Sequence, residues 1–367
     1  MPSHVPRTVE AGRQEGHRIG LEEGRRDGAC QAAASAARVW TPEARRAMSV
    51  MYVPQGFPAI DQGVQEALAM HASSVAVSSP GTMFVDAERL RPDLVLVMNG
   101  LHHVFPADQP SQIAAIRNLG IPAAIWFADD PYFTRETSSL AFCYDYVFTH
   151  DLEAVDFYRR LGHPQVHYAP LGVNTGVYHA KPVPRKYRSD VCFIGQGFWN
   201  RIGLLDQVLP QLQGLRVVIA GGEWERLSPR ARKSCQLLPG WMPIEETVNY
   251  YNGARIVLNI HRTTEPGVDN HNDHGLRGAS INPRTYEISA CGTLQMTDIR
   301  DDLGRYYVPG QELDTFADAG ELVGKIRHYL LHEDLRRAVS VKGMLRTLQE
   351  HTFARRVGDL LDLLPLG

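Results

Sequence analysis

From about Ser49 onward, short apolar runs alternate with segments of helical periodicity. Apolar runs bounded by turn signals read as strands buried on both faces, as in a parallel sheet. Such runs stand at Val50–Val53, Leu94–Met98, Ala123–Phe127, Tyr146–Thr149 and Val166–Tyr168. Helical spacing falls between several of them, at Gln112–Asn118 and Leu152–Leu161 for example. A Pro- and Lys-rich bridge, Lys181–Tyr187, interrupts the pattern, and a second series follows at Val191–Ile194, Arg216–Ala220, Ile256–Ile260 and Thr293–Gln295. From Ala319 the apolar positions (Leu322, Ile326, Tyr329, Leu330, then Leu345, Leu348, Phe353, Val357 and Leu360) take amphipathic helical spacing. The alternation predicts an α/β protein with two successive open parallel sheets of the Rossmann kind, followed by helices. Ligands in such sheets lie beyond the carboxyl ends of the strands, so the natural site is a cleft between the two domains.

The first stretch differs. Gly12, Gly16, Gly20, Gly24 and Gly28 recur every four residues among charged side chains. A period of four lines the glycines along one helix face. Each costs a helix about 1 kcal/mol relative to alanine. A disordered charged tail is one reading, and close approach of another helix is the other. The latter makes this segment a candidate for homo-oligomer contact. Trp40-Thr41-Pro42-Glu43 reads as a break and a new helix start, with Thr41 as N-cap and Pro42 at the first helical position. The expected units are an N-terminal extension over 1–45, a first domain over 46–175, a second over 176–345 and terminal helix over 346–367.

Composition narrows the class. The chain has 367 residues, a net charge of −3, and 44% apolar residues. Near-neutral charge argues against a nucleic-acid footprint. No apolar run reaches the ~18 residues of a transmembrane helix, and the first twenty residues lack the apolar core of a signal peptide. The five cysteines are scattered without a CxxC pair. No metal site is expected, and a reducing cytosol is the expected location.

Candidate chemistry gathers at strand ends. In the first half, His103, Asp130 and His150 follow successive strands and are candidate acid–base groups. In the second half, Gly195-Gln196-Gly197 and Arg201 form a glycine-containing strand–loop–helix that suits a diphosphate. The Gly240-Trp241-Met242 loop is a candidate for holding a base, and His261-Arg262 lies at a strand end. Asn282, Arg284, Tyr286 and Glu287 sit in a loop entering a short helix, where Arg284 and Glu287 share a face. Arg284 suits phosphate and Glu287 suits ribose hydroxyls. The first βα turn, Val53–Pro58, lacks the dinucleotide pattern, which disfavours an oxidoreductase.

The segment Glu287-Ile-Ser-Ala-Cys-Gly-Thr resembles the E-x-x-A-x-G-T segment of group 1 (GT4-like) glycosyltransferases. The run from Asn282 to Leu303, with Asp190–Gly195, Pro170–Asn174 and Asp129-Asp130-Pro131, is similar to the CgeB/YkvP-like branch of spore maturation and surface-glycan genes. The resemblance implies a GT-B architecture, with the donor on the second domain, the acceptor on the first, and a C-terminal helix crossing back. It implies a nucleoside-diphosphate sugar donor, UDP by default, and transfer without a metal or other cofactor to an unknown glycan, protein or small molecule. Group 1 enzymes carry a further Glu eight residues before the ribose Glu, and here that position is Ala279. Two other readings remain open: a non-catalytic binding or coat protein of this fold, and a nucleotide-sugar epimerase.

Overall fold

The computed structural model describes residues 9–365. Residues 1–8 of the N-terminal extension, within which the signal-peptide reading falls in part, and the last two residues lie outside the described residues. Two six-stranded sheets, parallel throughout, carry the fold. The first contains β1 (Arg46–Val53), β2 (Ala72–Val77), β3 (Leu94–Met98), β4 (Ala123–Phe127), β5 (Tyr146–Thr149) and β6 (Val166–Tyr168), in the order β2-β1-β3-β4-β5-β6. The second contains β7 (Ser189–Ile194), β8 (Val217–Gly221), β9 (Gln236–Pro239), β10 (Ala254–Asn259), β11 (Leu294–Asp298) and β12 (Asp314–Phe316), in the order β12-β11-β10-β7-β8-β9. The strand order reverses between β1 and β3 in one sheet and between β7 and β10 in the other. Those switch points are where open α/β sheets bind ligands.

The central strands are the apolar runs of the sequence: β3, β4 and β8 are buried at every position. Helices cover both faces, which splits the core of each domain into two layers. The strands absent from the sequence pattern are at edges: β2 reads ASSVAV and is half exposed, and β9 and β12 are four and three residues long. An edge strand needs no continuous apolar run, because one side faces solvent.

Two elements tie the domains together. The helix Phe353–Asp362 packs on the helix Pro58–His71, and its Phe353, Val357, Leu360 and Leu361 join the first domain's core. The second is a strap between β10 and the helix Pro283–Ala290. On it, Asp273 holds Arg135 through two bonds of 2.6 and 3.0 Å, Asn272 accepts from Thr134, and Leu276 enters the first domain's core.

The N-terminal stretch keeps its helical reading but not the helix start at Thr41. It forms a helix, Val9–Ala36, but no atom lies within 4 Å of a Cβ built on Gly12, Gly16, Gly20, Gly24 or Gly28. The glycine stripe therefore faces no helix of this chain. The helix is held near its other end, where Cys30 and Ala33 pack on Met344 and Leu348 of the helix Glu333–Glu350. Thr41 and Pro42 start no helix. The chain there is irregular and enters β1 at Arg46, too soon for a helical nucleus to form. Among the described residues, no helix is long and apolar enough to cross a membrane.

Candidate functional site

A cleft of about 390 Å³ opens between the carboxyl ends of the two sheets. Its second-domain wall begins where β7 and β8 end almost in contact. A Cβ on Gly221 would lie 2.0 Å from the Gly195 carbonyl oxygen, so only glycine fits there. The N–H groups of Gly195 and Gly197 donate to Ala220 and Gly222, and Gln196 Oε1 accepts from the Gly222 N–H at 2.7 Å. These two N–H groups are thus spent on the fold, and Gly197 does not line the cleft, whereas Gly195 and Gln196 do. What the loop brings is cations. A Cβ on Gly195 would meet Arg201 Nη1 at 3.2 Å and Arg284 Nη2 at 3.4 Å.

The two arginines differ. Arg201 is 4% exposed, and its guanidinium donates to the carbonyls of Ile260 and Gln196 at 2.9 Å each. Burial and the neighbouring Arg284 push it down to about 9, which still leaves it cationic at neutral pH. Arg284 has one long contact, 3.5 Å to Asn259 Oδ1, and no ion pair among the described residues. Glu287, one turn further along the same helix, accepts no hydrogen bond there. Burial pushes its carboxyl up to about 7, partly offset by Arg284.

That helix is set by a buried network. Asn282 is its N-cap, accepting from the Thr285 N–H, and exchanges amide hydrogen bonds with the fully buried Asn259. The Asn282 N–H donates to His261 Nε2 at 3.1 Å, while His261 Nδ1 meets Asp298 Oδ1 at 2.7 Å. Both ring nitrogens of His261 are therefore occupied. Burial pushes it down to about 4, so it stays neutral. It does not line the cleft; it positions the Asn282 loop. Tyr286 also lies elsewhere, its ring packed against Tyr306, Tyr307 and His351. His261 follows a strand end, where no periodicity fixes its direction, and Tyr286 steps off the helix face that Arg284 and Glu287 share.

Trp241 stands at the rim, 81% exposed, beside Gly240 (φ 88°) and Met242, and all three line the cleft. Arg262 also lines it. Its guanidinium lies 4.6 Å from the Phe198 ring, 4.8 Å from Tyr132 and 5.1 Å from Phe133, so rings from both domains enclose it.

The first-domain wall carries Asp130 and His150. Asp130 is 1% exposed and accepts from Thr149 Oγ1 at 2.7 Å and the Tyr158 hydroxyl at 2.9 Å. Burial pushes it up to about 7. His150 is 6% exposed, and its Nε2 has no hydrogen-bond partner among the described residues. His103 is exposed in a short turn and does not line the cleft; its neighbour His102 instead meets Asp129 at 3.2 Å. Sequence reasoning passed over Ala59 and Ile60, which with Phe57 and Pro58 form an apolar wall opposite the donor side, and Arg300, which reaches the cleft from β11's end. The Pro58 helix start after β1 was the signal for the former.

Comparison with known proteins bears on the fold that holds this cleft. Residues 201–362 match the family model described as glycosyl transferase-like. The Bacillus subtilis (strain 168) spore protein CgeB is 26% identical over 315 residues, 83% of this chain and 95% of that protein. An α-glucosyltransferase solved with UDP and a 13-mer DNA superposes with a TM-score of 0.61 at 12% identity, covering 87% of this chain and 99% of the other. Anabaena Alr3699/HepE, solved with UDP and glucose, gives 0.58 at 11% identity, with 86% and 100% covered. The fold is GT-B, and the chain resembles the CgeB-like branch of that fold.

Proposed function

We propose that the protein is a glycosyltransferase that moves a sugar from a nucleoside-diphosphate sugar, UDP-linked by preference, to an acceptor in the cleft. One observation carries the reading. Arg201 and Arg284 converge at Gly195 with no carboxylate paired to them among the described residues, and Glu287 lies one turn further with its carboxyl free. Two cations without an ion pair among the described residues call for an anion of matching charge, and a diphosphate supplies it. In the reaction the bond from the sugar's anomeric carbon to the diphosphate breaks as the bond to the acceptor oxygen forms. Negative charge then grows on the leaving phosphate, where preorganised guanidiniums stabilise it most.

Glu287 accepts hydrogen bonds from the ribose diol, and Trp241 gives the base a face to stack on. His150 lines the opposite wall, its Nε2 buried and without a partner among the described residues, and a small shift of its ring would let that nitrogen accept the acceptor hydroxyl's proton. Asp130 keeps its oxygens on Thr149 and Tyr158 and holds the wall. The cationic cradle does the work that a metal would otherwise do, so turnover is expected to persist in EDTA. Two adjoining proposals concern organisation: residues 46–175 serve as the acceptor unit and 176–345 as the donor unit, and the reaction takes place in the cytoplasm.

The deciding experiment is calorimetric titration with UDP, GDP, dTDP, ADP and CDP, with and without EDTA. Selective micromolar binding of one diphosphate, unaffected by EDTA and weakened in Arg284→Ala, supports the donor site. Absence of binding to all five overturns it and favours a non-catalytic role. Release of free or epimerised sugar without an acceptor points to an epimerase.

A further inference from the structure

At the opposite ends of β7, β10 and β11 from the cleft, a second cavity of about 310 Å³ lies between the N-terminal helix, the donor-domain sheet and the helix Glu333–Glu350. Small-molecule sites begin at roughly 300 Å³. Among the described residues, seven arginines and five carboxylates line it, an excess of two cations. The imbalance is sharpest at Glu333. That carboxylate is shared by Arg255 at 2.9 Å, Arg336 at 2.6 Å and Arg337 at 2.7 Å. One carboxylate cannot occupy the donors of three guanidiniums. Arg336 is 8% exposed, and its Nη1 has no hydrogen-bond partner among the described residues. Ser189, 5% exposed at the start of β7, likewise has an unpartnered Oγ. Buried donors of this kind are normally satisfied. Arg336 stays cationic at neutral pH, although burial lowers it to about 10.

We propose that this cavity is a second anion site, separate from the cleft, that takes the phosphate group of a small molecule. A phosphate offers several acceptor oxygens and about two negative charges, which matches both the excess cations and the unmet donors. The bound group bridges the N-terminal helix to the donor sheet. That helix has few holds of its own: an ion pair from Glu23 to Arg188, Arg26 donating to Asn252 and to the Cys291 carbonyl, and the Cys30 contact. A ligand that binds only the docked helix stabilises the docking by mass action.

The test uses the full chain carrying Arg284→Ala, which weakens anion binding in the cleft, beside the chain with Arg284 intact. Calorimetric titration at constant ionic strength compares inorganic phosphate, pyrophosphate and glucose 1-phosphate. Saturable binding of at least one probe is expected, weakened tenfold or more by Arg336→Gln and by Arg216→Glu. Arg216 is an exposed lining residue, so its variant decides the matter if Arg336→Gln does not fold. Amide exchange across residues 18–27 is expected to slow with the probe bound. Equal affinity for phosphate and glucose 1-phosphate identifies the free oxyanion as the ligand, and tighter glucose 1-phosphate binding a phosphorylated metabolite. Failure of all three probes to saturate, binding that appears only when Arg284 is intact, or binding indifferent to both cavity variants would overturn the proposal.

Discussion

The two walls of the cleft each hold a carboxyl that burial pushes up to about 7, Asp130 on the first domain and Glu287 on the second. Their surroundings are opposite. Asp130 accepts hydrogen bonds from Thr149 and Tyr158, whereas Glu287 accepts none among the described residues. The same contrast separates His261, with both nitrogens engaged, from His150, whose buried Nε2 has no partner among the described residues. It also separates Arg201, which donates to two carbonyls, from Arg284, which makes one long contact. A perturbed pKa alone does not mark a functional group, since burial for architecture produces the same shift. Unused hydrogen-bonding capacity facing the cleft is the better guide. Structural polar groups are satisfied within the fold, while ligand-binding ones wait for the ligand.

The sharpest break of this comparison is His150→Ala. Loss of a general base typically costs about 10²–10⁴ in rate. We expect kcat to fall by that order with the nucleotide Kd unchanged. A fall of less than about tenfold would remove His150 from the chemistry and class its buried nitrogen as incidental. Arg284→Ala comes next. Losing a hydrogen bond to a charged group costs about 1.5–3 kcal/mol, so calorimetry should show UDP affinity down by roughly 10–100-fold. Asp130→Asn, on the satisfied side of the comparison, should leave that affinity within about twofold. If Asp130→Asn weakens UDP as much as Arg284→Ala does, hydrogen-bond availability does not separate the two walls.

Much of this was legible in the sequence, for a physical reason. Strands buried on both faces must be continuously apolar, so Leu94–Met98 and Ala123–Phe127 announce themselves. Edge strands such as Ala72–Val77 carry no such requirement and were missed. In the site, Arg284 and Glu287 were legible because helical spacing fixes their common face. Tyr286 between them was misplaced into the cleft, since one residue's step turns its ring toward His351. His261 looked like a cleft group because strand ends face the cleft. Its partner Asp298 lies 37 residues away, on the end of a neighbouring strand, and no local pattern reveals that pairing. The Gly195–Gly197 loop was read as a phosphate cradle. Only the register of β7 against β8 shows that its glycine N–H groups are already bonded.

A smaller effect tests the rim. Trp241 is 81% exposed and lines the cleft beside Gly240. Base–aromatic stacking is worth about 1–3 kcal/mol by alanine substitution, and a ring open to water on one side belongs at the low end. Trp241→Ala should weaken UDP about fivefold and leave binding of pyrophosphate in the cleft unchanged. Equal loss for both ligands would mean that the loop shapes the phosphate site instead of the base site.

The finest test is the pH dependence of donor binding, because it isolates a cleft carboxyl that accepts no hydrogen bond among the described residues. Glu287 is raised from 4.5 to about 7, so below neutrality it is mostly protonated. Ribose hydroxyls donate to a carboxylate better than to a carboxylic acid, and ionised Glu287 is the binding-competent form. Affinity must therefore rise as pH rises through 7, and binding in turn draws the carboxyl's pKa down. Between pH 6.5 and 8 the ionised fraction grows about fourfold, which sets the expected gain in UDP affinity. The diphosphate itself titrates near the lower end of this window, so the comparison of interest is with Glu287→Gln. That variant should lose the Glu287 share of the slope while keeping whatever the phosphate contributes. Asp130→Asn should keep the full slope, because Asp130 has the same raised pKa but no oxygen to offer. Equal slopes in wild type and Glu287→Gln would show that the open carboxyl takes no part in holding the donor.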